Sequence, residues 1–547
     1  MLEVYNKVYM RTGDEGQCIS QDLFRLFMLF AISGVTRYRA GLSKEHPFGY
    51  YLAALAHITS VPLIGSPDAI QNSLLIGRFG MYHHVGTSLW DISHFCMRQC
   101  IELGYHAPPQ NTVTAIEEQK QRRIFWECYI LDRYSSGILG RPFAIADEDI
   151  SVELPILADD EVLKAANITS LSDVSNVAPS QPTEVSVFVF CIQLRQISSN
   201  IHTEFNSGRR QTSRSAHSTP MPFTSAGYVQ MKVHKFHEEL EAWRQKAPVF
   251  ADPKSLYERP EWYDFMLEKD KLTLFRGAMH TAPKLSNNSP PAELLALSLR
   301  SAIRVITLYS EMLEKKYITW TRSYFQAIFA AGLSVLFCLG LDRSAADQES
   351  AEASSSPVAA LHMCSQVLHT FEKEMPDVRS FALVFDELKE LSIRKLQQQQ
   401  PNPRDKTTQL NRHGYLTIPA LQTTNQATDW PRFNHSNKNN HNNSTQSSYP
   451  SNQQPTAAAA ALNNALDWQR PSTNLDLFQP PMSSDLPSPS VTTAVVAGQQ
   501  NQHQDPLPDW PLLTEEFIEN LEAGLGEYAW GFAGDDLYPW NPQLDLS

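Results

Sequence analysis

Residues 122–155 read RRIFWECYILDRYSSGILGRPFAIADEDISVELP, and this stretch decides the fold class. Apolar side chains recur in its first half at near-helical spacing, at Ile124, Cys128, Leu131 and Ile138. Gly140 favours the end of a helix, and Pro142 cannot continue one. The pattern therefore predicts a long amphipathic helix from about Ala115 to Gly140.

An acidic turn, Asp147-Glu148-Asp149, follows the predicted helix. A short alternating run from Ile150 to Leu154 comes next, and Pro155 closes it. The turn has two interpretations: a metal or acid-pair site, or a surface turn. Because no His or Cys ligand pattern accompanies the acids, the surface turn is favoured.

This spaced pattern resembles the central signature of the fungal-specific regulatory ("middle homology") domain. That domain occurs in fungal transcription factors whose DNA reader is a binuclear zinc cluster held by six cysteines. The resemblance implies a nuclear regulator of RNA polymerase II transcription. The residues that carry it are Arg122, Arg123, Phe125, Trp126, Ile130, Leu131, Asp132, Arg133, Gly140, Arg141, Pro142, Asp147, Asp149 and Pro155.

The chain around the signature is also dominated by helical periodicity. Helices are predicted over 22–35, 90–103, 184–205, 228–246, 262–279, 291–313, 320–341 and 357–396, with further starts at Tyr50 and Pro67 and a break near Pro376. Two stretches rich in polar residues, 160–182 and 206–225, are predicted as loops. We see no strand signal beyond Val152, so the predicted fold class is all-α and multi-helical.

Composition divides the chain into three predicted parts. Residues 1–396 form the regulatory domain that the resemblance implies. Residues 397–504 are rich in Gln, Asn, Ser, Pro and Ala, and cannot bury enough apolar surface to offset an ordering cost of ~1–2 kcal/mol per residue. We therefore expect a disordered linker there. Residues 505–547 form a different, acidic and aromatic tail.

The tail holds ten acidic residues and no Lys or Arg, so it carries most of the net charge of -14. Acids interleaved with aromatic and leucine side chains are typical of an activation domain that docks on a coactivator. A purely solubilising tail is the alternative, but such tails are usually poor in aromatics. The predicted activation residues are Trp510, Leu513, Phe517, Ile518, Leu521, Trp530, Phe532 and Trp540.

The side chains offer no catalytic constellation. The sequence has no nucleophile-base pair, phosphate loop or complete metal-ligand set, so we expect that the protein is not an enzyme. Cys96 and Cys100 lie on one helix face, but a second ligand pair is missing, which favours core thiols. We expect Arg122 and Arg123 to pair with acids at helical spacing, namely Glu118 and Glu127.

The seven cysteines are scattered, and no two of them are three positions apart. The family's reader uses two C-x2-C-x6-C halves, so zinc and DNA binding are assigned to no residue of this sequence and come only with the family. We expect either a truncated gene product or a protein without its own DNA reader. In the latter case it would be a binding module that forms homo- or heterodimers with related zinc-cluster factors.

No membrane segment is expected. The apolar run from Leu23 to Val35 contains Arg25 and is shorter than the ~20 residues that span a bilayer. The first residues also lack the apolar core of a signal peptide.

Overall fold

A computed structural model gives the structure of the protein. It describes residues 5–6, 20–158, 160–165, 171, 182–212, 226–285, 289–318, 320–341, 356–375 and 378–398. All of these residues fall in one structural unit. Gln397 and Gln398, predicted as the start of the linker, belong to the last helix. The rest of the predicted linker (399–504) and the predicted activation tail (505–547) with its activation side chains lie outside the described residues.

The described residues form α-helices joined by turns and short extended segments. The helices are α1 Ser20–Arg39, α2 Pro47–Leu55, α3 Pro67–Gly80, α4 Leu89–Glu102, α5 Ala115–Leu139, α6 Asp160–Ala165, α7 Glu184–Thr212, α8 Ala226–Gln245, α9 Pro260–Thr281, α10 Ala292–Glu314, α11 Arg322–Leu341, α12 Pro357–Glu374 and α13 Arg379–Gln398. Single 3-10 turns lie at Ile58–Ser60, Asp147–Asp149 and Leu256–Glu258. Within these ranges there is no strand, which confirms the all-α prediction.

The ends of the central helices follow from local chemistry. Helices α3, α4 and α5 each begin after a residue whose hydroxyl accepts a hydrogen bond from a backbone N–H in the first turn. These residues are Ser66, Ser88 and Thr114. Gly140 follows α5 with a φ of 59°, a left-handed conformation that glycine adopts without strain. The end of the signature helix therefore lies where the sequence predicts it.

Buried apolar side chains form three large clusters. The N-terminal core runs from Phe24 to Phe79 and packs α1, α2 and α3. The signature core runs from Ile70 to Ile192 and packs α3, α4 and α5 against the start of α7. The C-terminal core runs from Phe190 to Leu388 and packs α7 to α13. Helix α7 contributes to both larger cores and so joins the signature half to the C-terminal half.

Two predicted loops contain helix. Residues 160–165 form α6, and the nearby Leu163 and Leu171 are buried beside Ala115 and Ala158. Leu163 and Leu171 are thus the apolar residues through which this polar stretch packs against the start of α5. Helix α7 continues to Thr212, past the predicted end at Phe205. The extension contains Asn206, Ser207 and Gly208, which have low helix propensity, so local propensity does not account for it.

Helix α11 is long and apolar enough to cross a membrane by length and composition alone. However, 78% of its apolar window is buried inside the protein. The ring of Phe385 from α13 and the Cys364 thiol from α12 lie against Gly332 of α11. Packing on several sides therefore accounts for the apolar sequence of this helix.

Candidate functional site

One face of α5 holds the extended segment that follows it. We call this segment, residues 145–156, the strap. The side chains that contact it are three or four positions apart, so they lie on a single helix face. They form the polar stripe, which consists of Gln119, Arg122, Trp126, Tyr129 and Arg133.

The strap runs antiparallel to α5. The Gln119 amide donates to the Ile156 carbonyl at 2.8 Å and accepts from the Ile156 N–H at 3.1 Å. Two helical turns later, the indole N–H of Trp126 donates to the Glu153 carbonyl at 2.9 Å. Side chains of the helix thus satisfy backbone groups that a neighbouring strand would otherwise pair.

The two arginines at the start of the signature behave differently. Arg122 pairs with Glu118 at 2.6 Å, as predicted, and it also reaches the strap carbonyl of Leu154 at 3.0 Å. Arg123 pairs with Asp160 of α6 at 2.7 Å, so the predicted pair of Arg123 with Glu127 is wrong. Asp160 comes within reach only because the strap returns the chain along α5.

Asp147 is the anchor of the acidic turn. Its carboxylate accepts from the Tyr129 hydroxyl at 2.6 Å, from Arg133 at 3.1 Å and from the hydroxyl of Ser199 on α7. Burial raises the pKa of Tyr129 above its ordinary value, which keeps that phenol a donor. Asp149, by contrast, is exposed. The turn is therefore neither an acid pair nor a simple surface turn, because its first carboxylate is used internally.

Asp132 and Arg133 form a fully buried ion pair with 2.6 Å between Oδ2 and Nη1. Asp132 also accepts from the backbone N–H of Ala144 at 3.1 Å and from the Ser136 hydroxyl at 3.1 Å. Burial raises the pKa of Asp132, while Arg133 and Ala144 limit the rise. Asp132 thus fixes the turn out of α5, and Arg133 fixes the start of the strap.

The other signature residues have supporting positions. Phe125 and Trp126 are buried in the signature core, as the sequence indicated. The Arg141 guanidinium lies 4.7 Å from the centre of the Trp90 ring. Pro142 is exposed at the turn, and Pro155 is buried at the end of the strap.

Three buried thiols lie between α4 and α5. Cys96, Cys100 and Cys128 are fully buried, with 3.6 Å between the sulfurs of Cys100 and Cys128. Burial raises the pKa of Cys128 well above its ordinary value, which keeps it a protonated thiol. Across the described ranges, no group of three or more His, Cys, Asp or Glu is placed to hold a metal ion. These thiols do not fit the six-ligand binuclear cluster that the resemblance implies.

A second face of α5 lines a cavity of about 120 Å³. Glu127, Ile130, Leu131 and Tyr134 contribute from α5, at the spacing of one helix face. The remaining walls come from α3, α7, α9, the Leu256–Glu258 turn and the start of α11. The cavity therefore lies where the signature core meets the C-terminal core.

The cavity has an exposed side and a buried side. Half of the Arg78 side chain is exposed, and Tyr257 is 45% exposed, so these two residues mark the side that faces solvent. Leu194, Trp262 and Tyr324 are buried and form the deep wall. The indole N–H of Trp262 donates to the Tyr324 hydroxyl at 3.1 Å, which fixes both rings.

An ion pair crosses the exposed side of the cavity. Arg78 of α3 and Glu127 of α5 are 3.5 Å apart, which is long for a hydrogen bond. Deeper in the wall, Arg195 is bonded to Asp270 of α9 at 3.0 Å. Charge pairing of Arg78 with Glu127 raises the pKa of this arginine further, so it stays protonated.

Sequence reasoning located the signature but not its contacts. The stripe could have been found from its spacing. Its five members, which all carry a hydrogen-bonding group, lie three or four positions apart: Gln119, Arg122, Trp126, Tyr129 and Arg133. The cavity had no such signal. Its lining comes from segments up to 250 positions apart, from Leu74 to Tyr324.

Comparison with known proteins shows what part of this chain is similar to. Residues 30–245 match the fungal specific transcription factor domain. The negative regulator of pleiotropic drug resistance STB5 of Candida glabrata is 32% identical over 157 residues, which cover 27% of this chain and 16% of that protein. Protein STB5 of Saccharomyces cerevisiae is 33% identical over 141 residues, or 24% of this chain and 19% of that protein.

A longer match has lower identity. The positive regulator of purine utilization of Emericella nidulans is 22% identical over 377 residues, or 56% of this chain and 34% of that protein. The chain thus spans about a third or less of the length of these relatives. The matched domain and these relatives are named as transcription factors or regulators, which confirms the predicted resemblance. No solved structure matches the chain.

Proposed function

We propose that this chain, which carries a fungal specific transcription factor domain over residues 30–245, regulates RNA polymerase II genes in the nucleus. In this proposal residues 1–396 are the regulatory domain, residues 397–504 are the linker, and residues 505–547 are the activating output. The observation that carries it is the domain match together with a tail of ten acids and seven aromatic residues.

The tail acts through its charge and its apolar side chains. Acids that repel one another keep a segment solvated, so its aromatic side chains remain available. Phe517, Ile518 and Leu521 lie three and four positions apart, the spacing of a helix that folds in a hydrophobic groove. The partner is therefore a coactivator with such a groove, and binding is coupled to folding.

The tail can be tested apart from the domain. Residues 505–547 are fused to a heterologous DNA reader, and reporter transcription is measured. We expect activation, and we expect it to fall when Trp510, Phe517 and Trp530 are changed to Ala. The matched control changes Asn520, Asn541 and Gln543 to Ala, which leaves charge and aromatic content intact. A fusion without activity, or one insensitive to the aromatic changes, would rule out the output role.

A second candidate function rests on the cysteines. The 547 residues contain no C-x2-C pair, so this sequence assigns zinc and DNA contact to none of its residues. The chain would then act as a module that pairs with a related zinc-cluster factor and reaches DNA through it. Copurification of the full chain from fungal nuclei tests this: a related factor is expected in the complex, and its absence would count against the module.

A further inference from the structure

The cavity beside α5 has the size of a one-ring ligand. Its volume is about 120 Å³, and an apolar cavity of roughly 150 Å³ in a protein can hold benzene. Tyr134 and Trp262 line it, and aromatic walls of this kind favour contact with the face of a planar ring. A flat six-membered ring therefore matches the space and its walls.

The charges around the cavity are balanced. Arg78 faces Glu127, and Arg195 is bonded to Asp270. An anionic ligand would bring a second negative charge toward Glu127, and a cationic one would approach two arginines. Either would disturb an existing pair, which is most costly at the buried pair of Arg195 and Asp270. The charge balance favours a neutral ligand.

The ion pair of Arg78 and Glu127 determines which hydrogen-bonding groups the ligand carries on the edge that faces it. An arginine offers only N–H donors, and an ionised glutamate offers only acceptors. Because Arg78 and Glu127 are 3.5 Å apart, the pair is loose enough to admit a group that bonds both. An amide edge does this with its C=O toward Arg78 and its adjacent N–H toward Glu127, and in a ring that edge is a lactam.

We propose that this cavity binds a neutral, single-ring lactam. The ring lies against Tyr134 and Trp262, and its amide edge joins Arg78 to Glu127. Because α5 belongs to the signature core and Trp262 to the C-terminal core, the ligand links the two halves of the domain. Its role as the effector of a transcription regulator rests on the proposed function, whereas its binding does not.

Binding is tested on the full 547-residue chain with 2-pyridone, using saturation-transfer NMR and calorimetry. The matched probe is 1-methyl-2-pyridone, which keeps the ring and the carbonyl but lacks the N–H. We expect 2-pyridone to bind at least ten-fold more tightly than its methylated analogue. Equal affinity for the two probes, tighter binding of benzoate, or no binding of 2-pyridone at millimolar concentration would overturn the proposal.

Variants separate the polar edge from general damage to the fold. Glu127→Leu removes the acceptor, and Arg78→Met removes the donor from a half-exposed side chain on another helix. Each is expected to weaken 2-pyridone binding at least ten-fold. The control is Glu102→Leu, in the exposed pair of Arg98 and Glu102, which should bind as the wild type does.

If Glu127→Leu does not fold, the role of the ion pair is tested with Arg78→Met alone. Unchanged affinity of a folded Arg78→Met chain for 2-pyridone would show that Arg78 does not bind the ligand. Reporter transcription is measured separately, so failure of the regulator role leaves the binding result intact.

Discussion

Arg133 and Asp147 form an ion pair with 3.1 Å between Nη2 and Oδ1, and this pair joins helix α5 to the start of the strap. The same Asp147 carboxylate accepts from Ser199 on α7. Three segments that are distant in sequence thus meet at one charged group. The polar residues of the signature therefore bind other segments of the same domain.

Replacement of Arg133 should lower the free energy of unfolding more than replacement of an exposed charged residue. Arg133→Met leaves the fully buried Asp132 and the partly exposed Asp147 without their cation. We expect the free energy of unfolding to fall by about 3–5 kcal/mol, measured by urea denaturation. Arg98→Met, in an exposed pair, should change it by less than about 0.5 kcal/mol. A similar loss of unfolding free energy in Arg133→Met and Arg98→Met would show that the buried ion pairs of Arg133 do not hold the strap on α5.

Two glycines at the end of α5 should respond in opposite directions. Gly140 has a φ of 59°, so Gly140→Ala forces a side chain into the left-handed region, with an expected loss of about 1–2 kcal/mol. Gly137 is helical and a Cβ there meets nothing within 4 Å, so Gly137→Ala should gain about 0.5–1 kcal/mol. Thermal unfolding distinguishes the two. Stabilisation by both changes would show that the helix does not end at Gly140.

Close packing at α11 predicts a further asymmetry. A Cβ at Gly332 would lie 2.5 Å from Phe385 and 2.7 Å from the Cys364 sulfur, so Gly332→Ala should destabilise by about 1–3 kcal/mol. A Cβ at Gly340 meets nothing within 4 Å, and Gly340→Ala should be neutral or slightly stabilising. Chemical denaturation of both variants measures the difference. A tolerated Gly332→Ala would mean that α11 does not pack closely on α12 and α13.

His369 should make stability depend on pH. Its ring bonds Asp386 at 2.6 Å and Glu372 at 3.0 Å, and these carboxylates raise its pKa above the ordinary 6.5. Because the folded pKa is the higher one, this stabilisation is complete below about pH 6.5 and is lost as pH rises through the folded value.

The measurement is the unfolding free energy of the wild type and His369→Gln across pH. The two curves should be separated near pH 6 and should converge on the alkaline side. A constant separation across this window would show that the charged imidazole contributes nothing.

Sequence was enough for the helices because their signals are local. Apolar spacing, Gly140 and Pro142 define α5, and the burial of Phe125 and Trp126 follows from the same pattern. Local patterns do not report contacts between distant segments. Asp147 and Ser199 are 52 positions apart, and no spacing rule relates them.

Because local patterns do not report contacts between distant segments, they also led to the wrong partner for Arg123 and missed helix α6. Arg123 has an acid four positions away at Glu127, yet it bonds Asp160, because the strap brings α6 alongside. Glu127 faces Arg78 from α3. Helical spacing ranks partners within one helix, whereas tertiary packing decides among helices. The candidate cavity is entirely a product of that packing.

The proposed function requires the chain to deliver an activating tail to promoters. The most direct measurement tethers the full 547-residue chain to a reporter through a heterologous DNA reader. Output is compared between the wild type and a variant with Trp510, Phe517 and Trp530 changed to Ala. We predict transcription well above the reader alone, and its loss in the variant. Output equal to the reader alone, or output that the aromatic changes leave intact, would contradict the account.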